Sequence, residues 1–169
     1  PEKGMDVLVR AFAQVRHQAP DIRLVIAGEG PERPALDALI KALGVGEAVS
    51  LAGRADNPWA MMAAADLLVV PSYAEGFCMV LVEALACGCP VVSTRCGSAP
   101  ADILQDGRLG GLATAGDPES LAAAVIACMR EPQPDPTAMA AGAERFALDP
   151  VIDDYAAALD AIDRSATAR

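Results

Sequence analysis

The residues with the clearest chemical potential lie in one stretch, Pro71-Ser72-Tyr73-Ala74-Glu75-Gly76-Phe77-Cys78-Met79-Val80-Leu81-Val82-Glu83-Ala84. An aliphatic run ends in Pro-Ser, a short loop follows, and a helix is expected to begin near Phe77 or Cys78. Glu75 sits just before that helix and Glu83 about a turn and a half inside it. Met79 and Glu83 share a helical face, which turns Glu83 back over the first turn. Two carboxylates therefore converge on a helix N-terminus, whose unpaired amides and positive dipole end suit phosphate. Carboxylates repel phosphate and serve better as acceptors for hydroxyl groups beside it. A diphosphate flanked by sugar hydroxyls, as in a nucleotide sugar, meets that description. Taken alone, the Glu-x7-Glu spacing has an ordinary alternative, in which Glu75 is a solvated loop residue and Glu83 a polar position of an amphipathic helix.

Other side-chain chemistry is sparse. The five cysteines, Cys78, Cys87, Cys89, Cys96 and Cys128, are odd in number and form no C-x-x-C pair, which fits reduced thiols in a cytoplasmic protein. Cys87-Gly-Cys89 invites a metal, but zinc sites need a second such pair or added histidines. His17 is the single histidine and falls in a helical stretch. No metal site is expected, nor a serine or cysteine nucleophile activated by a pocket histidine. Trp59, the single tryptophan, reads as a packing residue rather than a sugar platform.

These residues must be positioned by a chain of 169 residues, the size of one ordinary domain. A net charge of −10 disfavours nucleic acid and anionic membranes as partners. Apolar residues make up 53%, with 36 alanines among them and only 4% aromatics, a composition suited to helices packed closely on a sheet. No apolar run approaches the roughly 18 residues of a membrane span. Short aliphatic runs at 22–27, 49–52, 67–70, 91–93 and 111–113 predict strands. Between them, helical spacing covers 5–16, 31–43, 59–64, 78–86 and 119–129, and two alanine-rich helices are expected near 138–146 and 151–162. This alternation predicts an α/β fold with a parallel sheet and helices on both faces. Gly28, Gly30, Gly53, Gly76 and Gly97 punctuate the carboxyl ends of the strands, the edge at which open α/β sheets bind ligands.

The chain begins Pro1-Glu2-Lys3-Gly4 and opens on a helix where such a fold should open on a strand. Lys3-Gly4 is therefore read as the turn after a strand upstream of residue 1, and the chain as a fragment of a longer protein. Residues 165–169 are expected to fray.

The ordered set of motifs resembles a known family. Ala65-Asp66, Val69-Val70-Pro71-Ser72, Glu75-Gly76-Phe77, Glu83-Ala84-Leu85-Ala86 and Gly88-Cys89-Pro90-Val91-Val92 look like the C-terminal domain of the family-4 retaining glycosyltransferases of the GT-B fold. The similarity extends through Glu2-Lys3-Gly4, Ala27-Gly28-Glu29-Gly30-Pro31, Leu51-Ala52-Gly53, Asp106-Gly107, Gly111-Leu112 and Asp117-Pro118. It implies a Rossmann-like, doubly wound parallel sheet, the C-terminal half of a GT-B fold. Residues 1–169 would form a donor (nucleotide-sugar) binding domain, with the acceptor-binding N-terminal domain absent.

The resemblance also implies roles. Glu75 would hydrogen-bond donor-sugar hydroxyls and face the reacting carbon, and Glu83 would grip the ribose. Gly76 and the amides of Phe77, Cys78, Met79 and Val80 would meet sugar and phosphates. Lys3 would neutralise the departing diphosphate, paired in the family with an arginine a few residues upstream. Gly28 and Gly30 would let the nucleotide approach the backbone, and Arg54 would line the base. The implied activity is metal- and cofactor-independent retaining transfer to a hydroxyl acceptor, with UDP, GDP and ADP sugars all compatible donors and the fragment alone inactive. A bacterial cytoplasmic protein, peripheral to the inner membrane at full length, is the expected setting. Departures fall at Cys78, where Gly or Pro is usual, and at Arg95, Gly97, Ala99 and Asp102, where Asp, Pro, Gly and Glu are usual; they bear on donor specificity. Two further readings stay open: a non-catalytic nucleotide-sugar-binding module, and a GT-B epimerase or phosphorylase. A phosphorylase would hold pyridoxal phosphate on a lysine, and Lys41 beside Ala42 and Leu43 offers no such pocket.

Overall fold

The computed structural model describes residues 2–167. In chain order the elements are α1 (Met5–Arg16), β1 (Leu24–Ala27), α2 (Arg33–Ala42), β2 (Val49–Gly53), α3 (Pro58–Ala64), β3 (Leu68–Val70), α4 (Met79–Ala86), β4 (Val91–Thr94), α5 (Ser98–Ile103), β5 (Gly111–Ala113), α6 (Pro118–Arg130), α7 (Pro136–Glu144) and α8 (Leu148–Thr167). A single 3-10 turn, Gln105–Gly107, links α5 to β5. The expected strands and helices are present with ends shifted by a few residues. Helix α5 was not expected. α8 is helical through Thr167; of the segment expected to fray, residues 168–169 lie outside the described residues.

All strand pairs are parallel. β1 pairs with β2, Leu24 opposite Val49, while β4 lies between β3 and β5, with Val92 opposite both Val69 and Gly111. The strands thus form two ladders rather than one continuous sheet, because no backbone hydrogen bonds join β1 to β3 among the described residues. The strand expected upstream of residue 1 lies outside the described residues.

Helices cover both faces, as the alternation along β4 demonstrates. Val91 packs into a core with Leu81, Leu85, Ile103, Leu109 and Met139, contributed by α4, α5, α7 and their connections. Val92, one residue on, faces a second core built by α1, α2 and α6 through Val9, Phe12, Val15, Ile40 and Leu121. A period of two along a strand requires this exchange of faces. Every residue of β4 is buried, so the central strand fixes the register of the site-bearing half.

Helix starts fall into two kinds. α3, α6 and α7 each begin with a capping side chain followed by proline: Asn57 accepts from the Ala60 amide, Asp117 from Glu119 and Ser120, and Asp135 from Thr137. Such caps satisfy amides that a helix end leaves unpaired. α4 starts instead on Cys78 in the left-handed region, φ 69°, with no capping side chain. Among the described residues no helix is long and apolar enough to cross a membrane.

Candidate functional site

The site is assembled where the Lys3-Gly4 turn meets the end of β3. Gly4 has φ 61°, and a Cβ there would lie 2.1 Å from the Pro71 carbonyl oxygen, so only glycine permits the approach. The Tyr73 amide donates to the Glu2 carbonyl at 2.8 Å, completing the splice between two segments far apart in sequence. Lys3 is thereby carried to Glu75, and its Nζ donates to Glu75 Oε1 at 2.8 Å across 72 positions of sequence. The lysine side chain remains 64% exposed and the glutamate 12%.

Glu75 is held from the other side as well. Ser72 Oγ donates to the same Oε1 at 2.6 Å, and Thr94 Oγ1 at the end of β4 donates to the Ser72 carbonyl. Burial pushes the Glu75 carboxyl up, but the Lys3 and Ser72 hydrogen bonds and the lysine charge outweigh it and leave the group below its ordinary value. The hydrogen bond to Glu75 correspondingly raises Lys3, against the opposing effect of burial. The glutamate is an anion and the lysine a cation throughout the neutral range.

Three residues beyond Glu75 the chain enters α4 through Cys78. Its thiol is pushed up to about 11, by burial first and then by the Glu75 charge, so it is neither thiolate nor nucleophile near neutrality. The left-handed φ at this position gives a physical reason for glycine there. Met79 is exposed and Val80 half-buried in the first turn, while Glu83 stands one turn further along, half-buried. Phe77 packs edge-on against Phe146 of the α7–α8 link, centroids 5.2 Å apart at 77°. Arg145 lies 5.1 Å over the Phe146 ring. Gly76 is exposed between Glu75 and this aromatic pair, with open space on its Cβ side.

The remaining candidates lie at the ends of β1 and β2. The Gly28 amide donates to the Gly53 carbonyl at 2.7 Å, and both Gly28 and Gly30 are exposed. Arg33 stabilises this loop by a fork, Nη1 on Glu29 Oε1 and Nη2 on the Leu51 carbonyl, each at 2.9 Å. The Glu29 carboxylate fills the space over Gly53. Arg54 follows with an exposed side chain.

The structure thus brings Lys3 and Glu75 into contact, sets Gly76–Val80 directly after them, and places Gly28, Gly30 and Arg54 on a separate ladder. Sequence reasoning missed Ser72 and Thr94 as partners of Glu75; the Ser-x-x-Glu spacing was the available signal. Trp59, read as packing, is 56% exposed, because α3 turns Met62 inward instead. The unusual residues of the β4–α5 segment form surface ion pairs, Arg95 with Asp106 and Asp102 with Arg145, each at 3.4 Å. Gly97 has φ 135°, which proline could not adopt. Among the described residues no group of three or more His, Cys, Asp or Glu side chains is placed to hold a metal. An open groove between α1 and α2, lined by Asp6, Arg10, Leu36 and Leu39, contains none of the candidate residues.

Comparison with known proteins gives this geometry its context. The family model described as "Glycosyl transferases group 1" matches residues 1–131. The chain is 34% identical over 129 residues to N-acetyl-alpha-D-glucosaminyl L-malate synthase of Bacillus anthracis, covering 76% of this chain and 33% of that protein. It is 35% identical over 158 residues to the GDP-mannose-dependent alpha-(1-6)-phosphatidylinositol monomannoside mannosyltransferase of Mycolicibacterium smegmatis, covering 88% and 41% respectively. The chain therefore spans well under half the length of these curated relatives. Among solved structures, Anabaena HepE in complex with UDP and glucose superposes with a TM-score of 0.82 at 28% identity, covering 95% of this chain and 46% of that one. The segment matched by the family model, residues 1–131, includes Lys3, the Pro71–Ala84 stretch and every other candidate residue. The chain belongs to the group 1 glycosyltransferases, with the α/β architecture of the GT-B fold.

Proposed function

We propose that this chain is the donor-binding part of a retaining glycosyltransferase that moves a sugar from a nucleoside-diphosphate sugar to a hydroxyl acceptor. The observation that carries the reading is the Lys3–Glu75 pair, 2.8 Å apart, immediately before a helix whose first turn has no capping side chain. Three kinds of group stand together: a largely exposed cation, a carboxylate held by two donors, and amides at the positive end of a helix. An incoming diphosphate satisfies the amides and draws the Lys3 ammonium toward itself. Glu75 is then left to accept hydroxyl groups of the sugar. Glu83, one turn into α4, takes the ribose hydroxyls, and Gly28, Gly30 and Arg54 border the nucleoside.

The chemical step in this reading breaks the bond from the anomeric carbon to the diphosphate oxygen, and the acceptor hydroxyl adds on the same face. Its main demand is stabilising the charge that grows on the departing diphosphate. Amides of Phe77, Cys78, Met79 and Val80 and the Lys3 ammonium supply this without a metal or other cofactor. Local charge reconciles an anionic ligand with a chain of net charge −10: each carboxylate faces hydroxyls rather than phosphate. Acceptor binding belongs to a further domain, and the catalytic cleft to the space between the two, so residues 1–169 alone are inactive. That many of the candidate residues lie at an exposed edge, outside the α1–α2 groove, supports this division.

The test is transfer by the full-length protein, with UDP-glucose, GDP-mannose and ADP-glucose as donors and the product anomer read by NMR. An axial donor linkage conserved in the product supports the reading; inversion contradicts the retaining assignment. Transfer by residues 1–169 alone would overturn the inactivity of the isolated part.

A further inference from the structure

Ser72 is one of three buried polar residues among those described, with Ser93 and Thr94, and is only 1% exposed. Removing a hydroxyl from water is unfavourable unless its hydrogen bonds are replaced. Here they are replaced at both ends of the residue. The hydroxyl donates to Glu75 Oε1 at 2.6 Å, and the carbonyl accepts from the buried Thr94 hydroxyl. Ser72 is thus anchored to the central strand β4 before it touches the glutamate.

Two donors, Lys3 and Ser72, meet on the same carboxylate oxygen, Oε1. Among the described residues Oε2 accepts no hydrogen bond. The carboxylate is consequently gripped by one oxygen and presents the other. The two holders are not equivalent: Lys3 is a long, largely exposed side chain at a turn, whereas Ser72 is short, buried and fixed from behind.

We infer that Ser72 is a positioning residue for Glu75, keeping Oε2 turned toward donor-sugar hydroxyls once the diphosphate has drawn Lys3 away. This rests on the donor-site reading given above. Ser72 touches Glu75 and not the ligand, so its removal acts through the glutamate's orientation. Alanine leaves Oε1 with no fixed donor in the liganded state; threonine keeps the hydroxyl. The lowered carboxyl of Glu75, to which Ser72 contributes, accords with this role.

The experiment titrates the full-length protein calorimetrically with UDP, GDP and ADP and with UDP-glucose, GDP-mannose and ADP-glucose. Ser72→Ala is expected to leave nucleoside-diphosphate affinity within about twofold and to weaken the matching nucleotide sugar about tenfold, the scale of a hydrogen bond to a charged group. Ser72→Thr should recover most of that loss, and the acid limb of nucleotide-sugar binding should move to higher pH in Ser72→Ala. Equal losses for both ligand classes, or no loss for either, overturn the role. Glu75→Gln separates the two levels of the argument. If it removes the sugar-specific affinity while Ser72→Ala does not, only the positioning role fails. If Glu75→Gln changes nothing, the donor-site reading fails and the inference with it.

Discussion

Replacing Gly4 by alanine tests how the site is held together. The residue sits at φ 61°, and the added Cβ would lie 2.1 Å from the Pro71 carbonyl oxygen, where real contacts do not fall below 3.0 Å. The Glu2–Gly4 turn or the end of β3 must therefore retreat by about 0.9 Å. Three costs follow. The left-handed backbone costs about 1 kcal/mol once a Cβ is present. Loss of the 2.8 Å hydrogen bond from the Tyr73 amide to the Glu2 carbonyl adds about 1 kcal/mol. Separation of Lys3 from Glu75 adds under ~1 kcal/mol, since the lysine is mostly solvated. Gly4→Ala should thus destabilise by about 2–3 kcal/mol, lowering the melting temperature by roughly 5–10 °C for a domain of this size. Urea and thermal denaturation monitored by circular dichroism provide the assay, with Gly30→Ala as the control. Gly30 has no positive φ and nothing near its Cβ position, so its change should stay within about 0.5 kcal/mol. If Gly4→Ala and Gly30→Ala behave alike, the argument that close backbone approach carries Lys3 to Glu75 is refuted.

Three other predictions concern neighbouring groups. An NMR titration should find the Glu75 carboxyl below 4.5, its reference value, and Lys3→Ala should move it upward. Because this pKa is depressed, the stability from the pair is present above the unfolded value and is lost as pH falls through the folded one. At the alkaline end it is lost as pH rises through the raised lysine value. Cys78→Ala should destabilise more than Cys78→Gly by about 1 kcal/mol in urea melts, since both lose the buried thiol but glycine alone relieves the left-handed backbone. In the unaltered protein the buried Cys78 and Cys89 should react with Ellman's reagent at pH 8 far more slowly than the partly exposed Cys87 and Cys96. Phe146→Ala removes the edge-on contact to Phe77 and should cost about 0.5–1.5 kcal/mol beyond the lost burial, with a several-fold loss of nucleotide-sugar affinity in calorimetry.

Much of the fold was legible because glycine and proline mark the chain so clearly. Asp117-Pro118 and Asn57-Pro58 announce capped helix starts, and β-branched runs such as Val91-Val92, set off by Gly88 and Pro90 before and Gly97 after, read as strands buried on two faces. The local part of the site was legible for the same reason, since Glu75, Gly76 and the start of α4 are neighbours in sequence. Contacts between distant segments were not. Nothing near Lys3 specifies a partner 72 positions away; the signal is the absent side chain of Gly4, whose meaning depends on where Pro71 lies. Thr94 is equally silent, because a threonine at a strand end is commonplace until its hydroxyl is seen on the Ser72 carbonyl. The division into two ladders depends on which strand edges meet, a long-range property that hydrophobic pattern does not encode. α5 was missed because Ser98-Ala99-Pro100-Ala101 reads locally as a loop; proline is tolerated there in the first helical turn.

The central claim is that two carboxylates read hydroxyls on either side of a diphosphate bound by α4. Calorimetric titration of the full-length protein with each nucleoside diphosphate and its sugar conjugate, repeated for Glu83→Ala and Glu75→Gln, tests it most directly. Glu83→Ala should weaken both ligand classes about equally, whereas Glu75→Gln should weaken only the sugar conjugate. Unaltered nucleotide affinity in Glu83→Ala, or equal weakening of both classes in Glu75→Gln, would contradict it.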